Sequence, residues 1–194
     1  LYRTPTPKTM SKSVRRKRGS AEAQVWRHLL AELGTPPAGV RWIHVCDRGA
    51  DDYEVFLQAL LTHTRVLIRA AKLHREISAA DGRKRALSDV LAELPAVGTR
   101  TVDVRATPKL PARTALVALR FVRIGLPQPR VKTAWMRQHA PAEPLSLAVV
   151  ELREENPPPG VEPVRWVLFT FEPVTTAVEA EEVIAHYEQR PLIE

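Results

Sequence analysis

Apolar positions in the first part of the chain alternate between helical spacing and short unbroken runs. Residues 21–33 have the pattern of a helix, stopped by Gly34 and the Thr35-Pro36-Pro37 that follows. The run from Trp42 to Asp47 is short and apolar and ends in an acid, as a buried strand would. Beyond Arg48-Gly49-Ala50-Asp51, residues 52–62 place Val55, Phe56, Ala59 and Leu60 on one helical face. Residues 65–70 supply a further strand, so the order predicts a βαβ-like unit.

The pattern changes after residue 80. A short helix over 85–94 stops at Pro95, and Val102, Val104 and Ala106 then alternate with polar neighbours as in a half-buried strand. Residues 114–124, 144–153 and 164–171 are further strands, separated by proline-rich breaks such as Asn156-Pro-Pro-Pro-Gly160. Successive strands with short links predict an antiparallel sheet. A last helix opens with a capping box from Thr176 to Glu179 and carries Ala180, Val183, Ile184 and Tyr187 at helical spacing. No internal repeat is present.

The final eight residues add chemistry to that helix. Tyr187, Arg190 and Glu194 recur at i, i+3 and i+7, which aligns a phenol, a guanidinium and a carboxylate on one helical stripe. A ring, a phosphate fork and a metal-binding oxygen on one face suit a site that cuts nucleic acid, and equally the polar face of an ordinary amphipathic helix. At the other end of the chain, a strand that delivers Asp47 just before a helix stands where open α/β sheets build active sites.

Charge sharpens this picture. The 194 residues carry a net +7, but residues 151–194 hold three basic side chains against ten acids. That leaves 26 basic against 12 acidic in residues 1–150, a balance of +14 that favours a polyanionic partner. Residues 1–19, with Arg15, Arg16, Lys17 and Arg18, read as a flexible basic arm. Cys46 is the single cysteine, so no internal disulfide is possible. No apolar run of membrane-spanning length or signal peptide is present, and a cytoplasmic location is expected. The six histidines show no zinc spacing and no glycine-rich phosphate loop occurs.

Taken together, Val45-Cys46-Asp47-Arg48-Gly49-Ala50-Asp51, the Tyr-x-x-Arg-x-x-x-Glu terminus and Trp166-Val-Leu-Phe-Thr-Phe-Glu-Pro-Val174 resemble the motifs of bacterial insertion-sequence DDE transposases. The resemblance implies an α/β fold: part of an RNase H-like core interrupted by an antiparallel β insertion. It divides the chain into a basic arm (1–19), a partial core (20–80), an all-β insertion (81–172) and a C-terminal catalytic helix (173–194). It implies Asp47 and Glu194 as catalytic metal ligands for Mg²⁺ or Mn²⁺, hard cations that suit carboxylate oxygens. It assigns DNA contacts to Arg69, to Trp166 as a stacking platform for a flipped base, and to Tyr187 and Arg190 at adjacent phosphates. Lys72 and Arg75 either extend the Arg69 backbone track or form an ordinary solvated cation face. The partner implied is double-stranded DNA at transposon ends, engaged by a homodimer.

The chain departs from that family in two respects. Pro191 stands where the motif has tryptophan, and proline disfavours helical dihedrals at Arg190 before it. The first acid of the triad has no candidate before Asp47, since Glu22 and Glu32 lie in a helical stretch, so the polypeptide is expected to be catalytically incomplete alone. Two alternatives stand beside the transposase reading: a non-catalytic DNA-binding module, and a β-rich structural domain with incidental charge.

Overall fold

A computed structural model describes residues 21–106 and 111–190. The basic arm, including Arg15, Arg16, Lys17 and Arg18, and the terminal Glu194 lie outside the described residues.

The chain begins with helix α1 (Ala21–Leu33), then strand β1 (Ile43–Cys46), a 3₁₀ turn (Arg48–Ala50), α2 (Tyr53–Leu61) and β2 (Arg65–Arg69). β1 and β2 pair in parallel, Ile43 opposite Arg65 and Cys46 opposite Ile68, with α2 as the crossover. The βαβ-like expectation therefore corresponds to a real unit. A hairpin of β3 (Glu76–Ser78) and β4 (Lys84–Ala86) leads into α3 (Leu87–Glu93). β5 (Gly98–Val104), the long β6 (Arg113–Leu126), α4 (Ala134–His139), β7 (Leu145–Glu154), β8 (Arg165–Thr170) and α5 (Ala177–Glu188) complete the fold.

All eight strands belong to one sheet, in the order β1-β2-β8-β7-β6-β3-β4 with β5 also on β6. The protein is thus mixed α/β with a mostly antiparallel sheet. β8 lies antiparallel between β2 and β7, with Leu67 opposite Thr170 and Ala148 opposite the same Thr170. β6 serves two partners along one edge, β5 over its first half and β3 at Gly125. A Cβ on Gly125 would stand 3.0 Å from that of Pro144 and 3.1 Å from that of Ser78, so a side chain at this crossing would have to push its neighbours back by a few tenths of an ångström.

Alternation along the strands feeds two cores, one on each face. Val66, Ile68, Val149, Val167 and Phe169 face the first, which α1 to α4 cover through Leu30, Phe56, Leu91 and Met136. Phe56 meets Phe169 edge-on at a centroid distance of 5.5 Å. Leu67, Val117, Val150 and Leu168 face the second, covered by Ala180, Val183, Ile184 and Tyr187 of α5. The short β3–β4 hairpin and α4 have no counterpart in the sequence expectations. Each is too brief to develop a period.

α5 starts as its capping box requires. Thr176 Oγ1 accepts from the Glu179 amide at 3.2 Å, while Glu179 Oε2 accepts from the Thr175 and Thr176 amides at 2.7 and 3.0 Å. Those bonds, chiefly the one from the Thr175 amide, hold the Glu179 carboxyl below the ordinary glutamate range. The helix ends at Glu188 and Gln189 serves as its cap.

Two outcomes are expected. Thr176→Ala should lower stability by about 1 kcal/mol in urea unfolding. Because the folded-state pKa of Glu179 is depressed, its contribution is present above the unfolded value of 4.5 and lost as pH falls through the lower folded value. The stability gap between the wild type and Glu179→Gln should therefore close on acidification below pH 4.5, and a gap constant with pH would disprove the capping role.

Candidate nucleic-acid site

β1 delivers Asp47 at its C-terminal end, where the side chain caps the 3₁₀ turn by accepting from the Gly49 amide at 2.8 Å. The second carboxylate oxygen faces Arg190 Nη2 at 3.6 Å, and the side chain is 44% exposed. Residues near opposite ends of the sequence therefore meet at the mouth of one parallel strand pair.

Two contacts, joined by short stretches of chain, lead from Arg190 to the other expected residues. Tyr187 lies in the last turn of α5 and its ring meets Trp166 of β8 at a centroid distance of 5.4 Å, close to edge-on. Trp166 is half-buried beside Val164 against the second core. One residue earlier, the Arg165 carbonyl accepts from Arg69 Nη2 at 3.3 Å. Asp47, Arg190, Tyr187, Trp166 and Arg69 thus form one neighbourhood.

Tyr187 occupies it differently from the outward-facing role expected. It is only 5% exposed, and its hydroxyl has no partner among the described residues. Its ring is a floor for Trp166, since it belongs to the apolar repeat that seats α5. Lys72 is also placed elsewhere. Its amide and ammonium both contact Asp51, and it lines a separate cavity of about 350 Å³ with Arg75, Arg130 and Tyr53.

Trp166 and Arg69 line a groove of about 1050 Å³ between β5, the start of β6 and β8. Six arginines face three acids there: Arg48, Arg69, Arg100, Arg105, Arg113 and Arg165 against Asp103, Glu162 and Glu188. Part of that charge is already matched. Arg113 chelates Glu154, Arg165 pairs with the fully buried Glu151, and Arg100 grips α5. Arg48, Arg69 and Arg105 have no carboxylate partner among the described residues, which makes them the cations most available to phosphate. Sequence reading missed Arg48 and Arg105; adjacency to Asp47 was the signal for the first, and nothing local marked the second.

The loop after β2 owes its course to Asp51, whose side chain is fully buried. Its carboxylate accepts from the Ala71 amide at 2.7 Å and the Lys72 amide at 3.2 Å, and pairs with Arg75. The neighbouring Asp52 caps α2 by accepting from the Glu54 amide at 3.1 Å. Of these two adjacent acids, Asp52 alone caps the helix, and Asp51 anchors the loop.

Cys46 turns to the first core, away from Asp47. Burial, reinforced by the Asp47 charge, pushes its thiol up to about 12, while Arg190 acts in the opposite sense. No helix among the described residues is long and apolar enough to cross a membrane. No protein-family model matches this chain.

Asp51→Ala should cost about 3–5 kcal/mol in chemical unfolding, because it strands a buried guanidinium and two amides. A loss under about 1 kcal/mol would mean the loop is held by something else. Cys46 should stay unreactive to an aromatic disulfide reagent at pH 8 until urea is added, since its thiolate is scarce in the folded state. Rapid modification of the native protein would contradict the burial described.

Proposed function

We propose that the chain is a fragment of a DDE transposase that binds double-stranded DNA at transposon ends, within a fold built on a partial RNase H-like core. The full enzyme would use Mg²⁺ or Mn²⁺ for strand cleavage and strand transfer, with two protomers at paired ends. The observation that carries this reading is the 3.6 Å approach of Arg190 to Asp47, which draws the terminal motif to the strand-end acid. Parallel β1 and β2 with α2 between them suit such a core. The arginine-rich groove with Trp166 in its wall suits phosphate and base contacts.

A hard dication seeks several oxygen ligands. Among the described residues no three of His, Cys, Asp and Glu are grouped to hold one. These residues therefore do not by themselves fit a complete Mg²⁺ or Mn²⁺ site. The proposal assigns the ion to Asp47 with Glu194, which lies outside them. Asp47 already paired with a guanidinium favours a second reading, a DNA-binding module without catalysis.

Duplex binding followed by fluorescence anisotropy across salt tests the shared part of both readings. Affinity should fall linearly on a log–log plot, and Arg69→Gln should reduce the slope by about one. A salt-independent signal would remove the phosphate argument. Titration with Mg²⁺ or Mn²⁺, read by NMR at the Asp47 amide, then separates the two readings. Shifts at millimolar metal support the catalytic fragment, and an unchanged spectrum supports the binding module.

A further inference from the structure

Arg100 belongs to β5, yet both arms of its guanidinium reach α5. Nη1 donates to Glu181 Oε2 at 3.1 Å, and Nη2 donates to Glu188 Oε1. The two glutamates stand about two turns apart on one face of the helix. A planar fork that grips a helix at two levels restrains both its rotation and its slide along the strand, which a single point charge cannot do. Immediately beside the second grip lie the residues of the site. Tyr187 precedes Glu188 and packs on Trp166; Arg190 follows it and meets Asp47.

At that end of the helix, this fork stands beside the Arg190–Asp47 pair just beyond the last turn. The capping box fixes the other terminus, at Thr176. The fork from β5 adds to the apolar packing a polar restraint that spans the last two turns. Arg100 also lines the groove, so its charge is shared between the helix and whatever anion enters there.

We propose that Arg100 is a positioning residue for the DNA site: its two-pronged grip sets the depth at which α5 delivers Tyr187 to Trp166 and Arg190 to Asp47. Its importance for DNA rests on the reading given under Proposed function, whereas the grip itself is a property of the free protein. A simple phosphate contact by Arg100 makes different demands. Positioning requires the two glutamates as much as the arginine, while a phosphate contact gains when they are neutralised.

The test compares Arg100→Gln, Arg100→Lys and the double variant Glu181→Gln with Glu188→Gln, all in the full chain. The double variant changes only two partly exposed carboxyls and keeps the arginine, so it guards against misfolding of the first. In NMR spectra of the free protein, Arg100→Gln and the double variant should move the Trp166 indole N–H signal in the same direction. Both should speed amide exchange at Tyr187 roughly fivefold. Arg100→Lys, with a single ammonium for two carboxylates, should restore part of that shift. A double variant that matches wild type at Trp166 and Tyr187 overturns the proposal, whatever Arg100→Gln does. Duplex binding by the same proteins is read separately. Loss of salt-dependent binding in the wild type itself would sink the DNA reading and leave the brace standing.

Discussion

The carboxylate of Asp51, sealed from solvent, joins the two segments on which the candidate site depends. It stands between Asp47 and the start of α2, and it takes the Ala71 and Lys72 amides together with the Arg75 guanidinium. Three bonds to one side chain fold the segment after β2 back over the 3₁₀ turn. Arg69, at the end of β2, and Arg48, in the turn, both line the groove. A buried charge with its partners in place costs little more than an apolar replacement, but the same charge without them is expensive. The turn and the loop are consequently bound to form together.

The second constraint is the sheet. β8 inserts between β2 and β7, so the parallel pair and the antiparallel strands share one hydrogen-bonded surface. This fixes Trp166 relative to Arg69 through backbone pairing, independent of any side chain. α5 then closes the opposite face. Because it is seated by Ala180, Val183, Ile184 and Tyr187, the same apolar repeat that buries the helix also carries its end to Asp47. Arg100 adds a polar restraint at that end.

Much of the architecture was legible because periodicity is a local property. α1, α2 and α5 run far enough to show a period of 3.6, β5 alternates in steps of two, and β6 and β7 stand out as long apolar runs between proline-rich breaks. β3 and β4 have three residues each and α4 has six, so no pattern could announce them. The site was legible in part. Asp47 at a strand end and the terminal motif were visible, and the structure brings Asp47, Arg190, Trp166 and Arg69 together. Tyr187 was visible twice, once in the apolar repeat and once in the polar stripe, and burial favours the first. What could not be read were links across long separations. Asp51 meets its loop 20 residues on, and Arg100 meets Glu181 across 81 positions, with no local mark on either partner. The Lys72 contacts with Asp51 are a link of the same kind, between residues 21 positions apart.

The place of β8 has a consequence for how the chain reaches this state. Leu67 and Thr170 lie roughly a hundred residues apart along the backbone, and their pairing requires closing that whole loop. β7 and β8 pair across a short link, so until that closure the open edges belong to β2 and β8, which carry Leu67, Ile68, Leu168 and Phe169. Joining the parallel pair to the antiparallel strands is thus the step with the largest loop-closure entropy, and an unpaired edge at β2 or β8 is the place where a foreign strand could add.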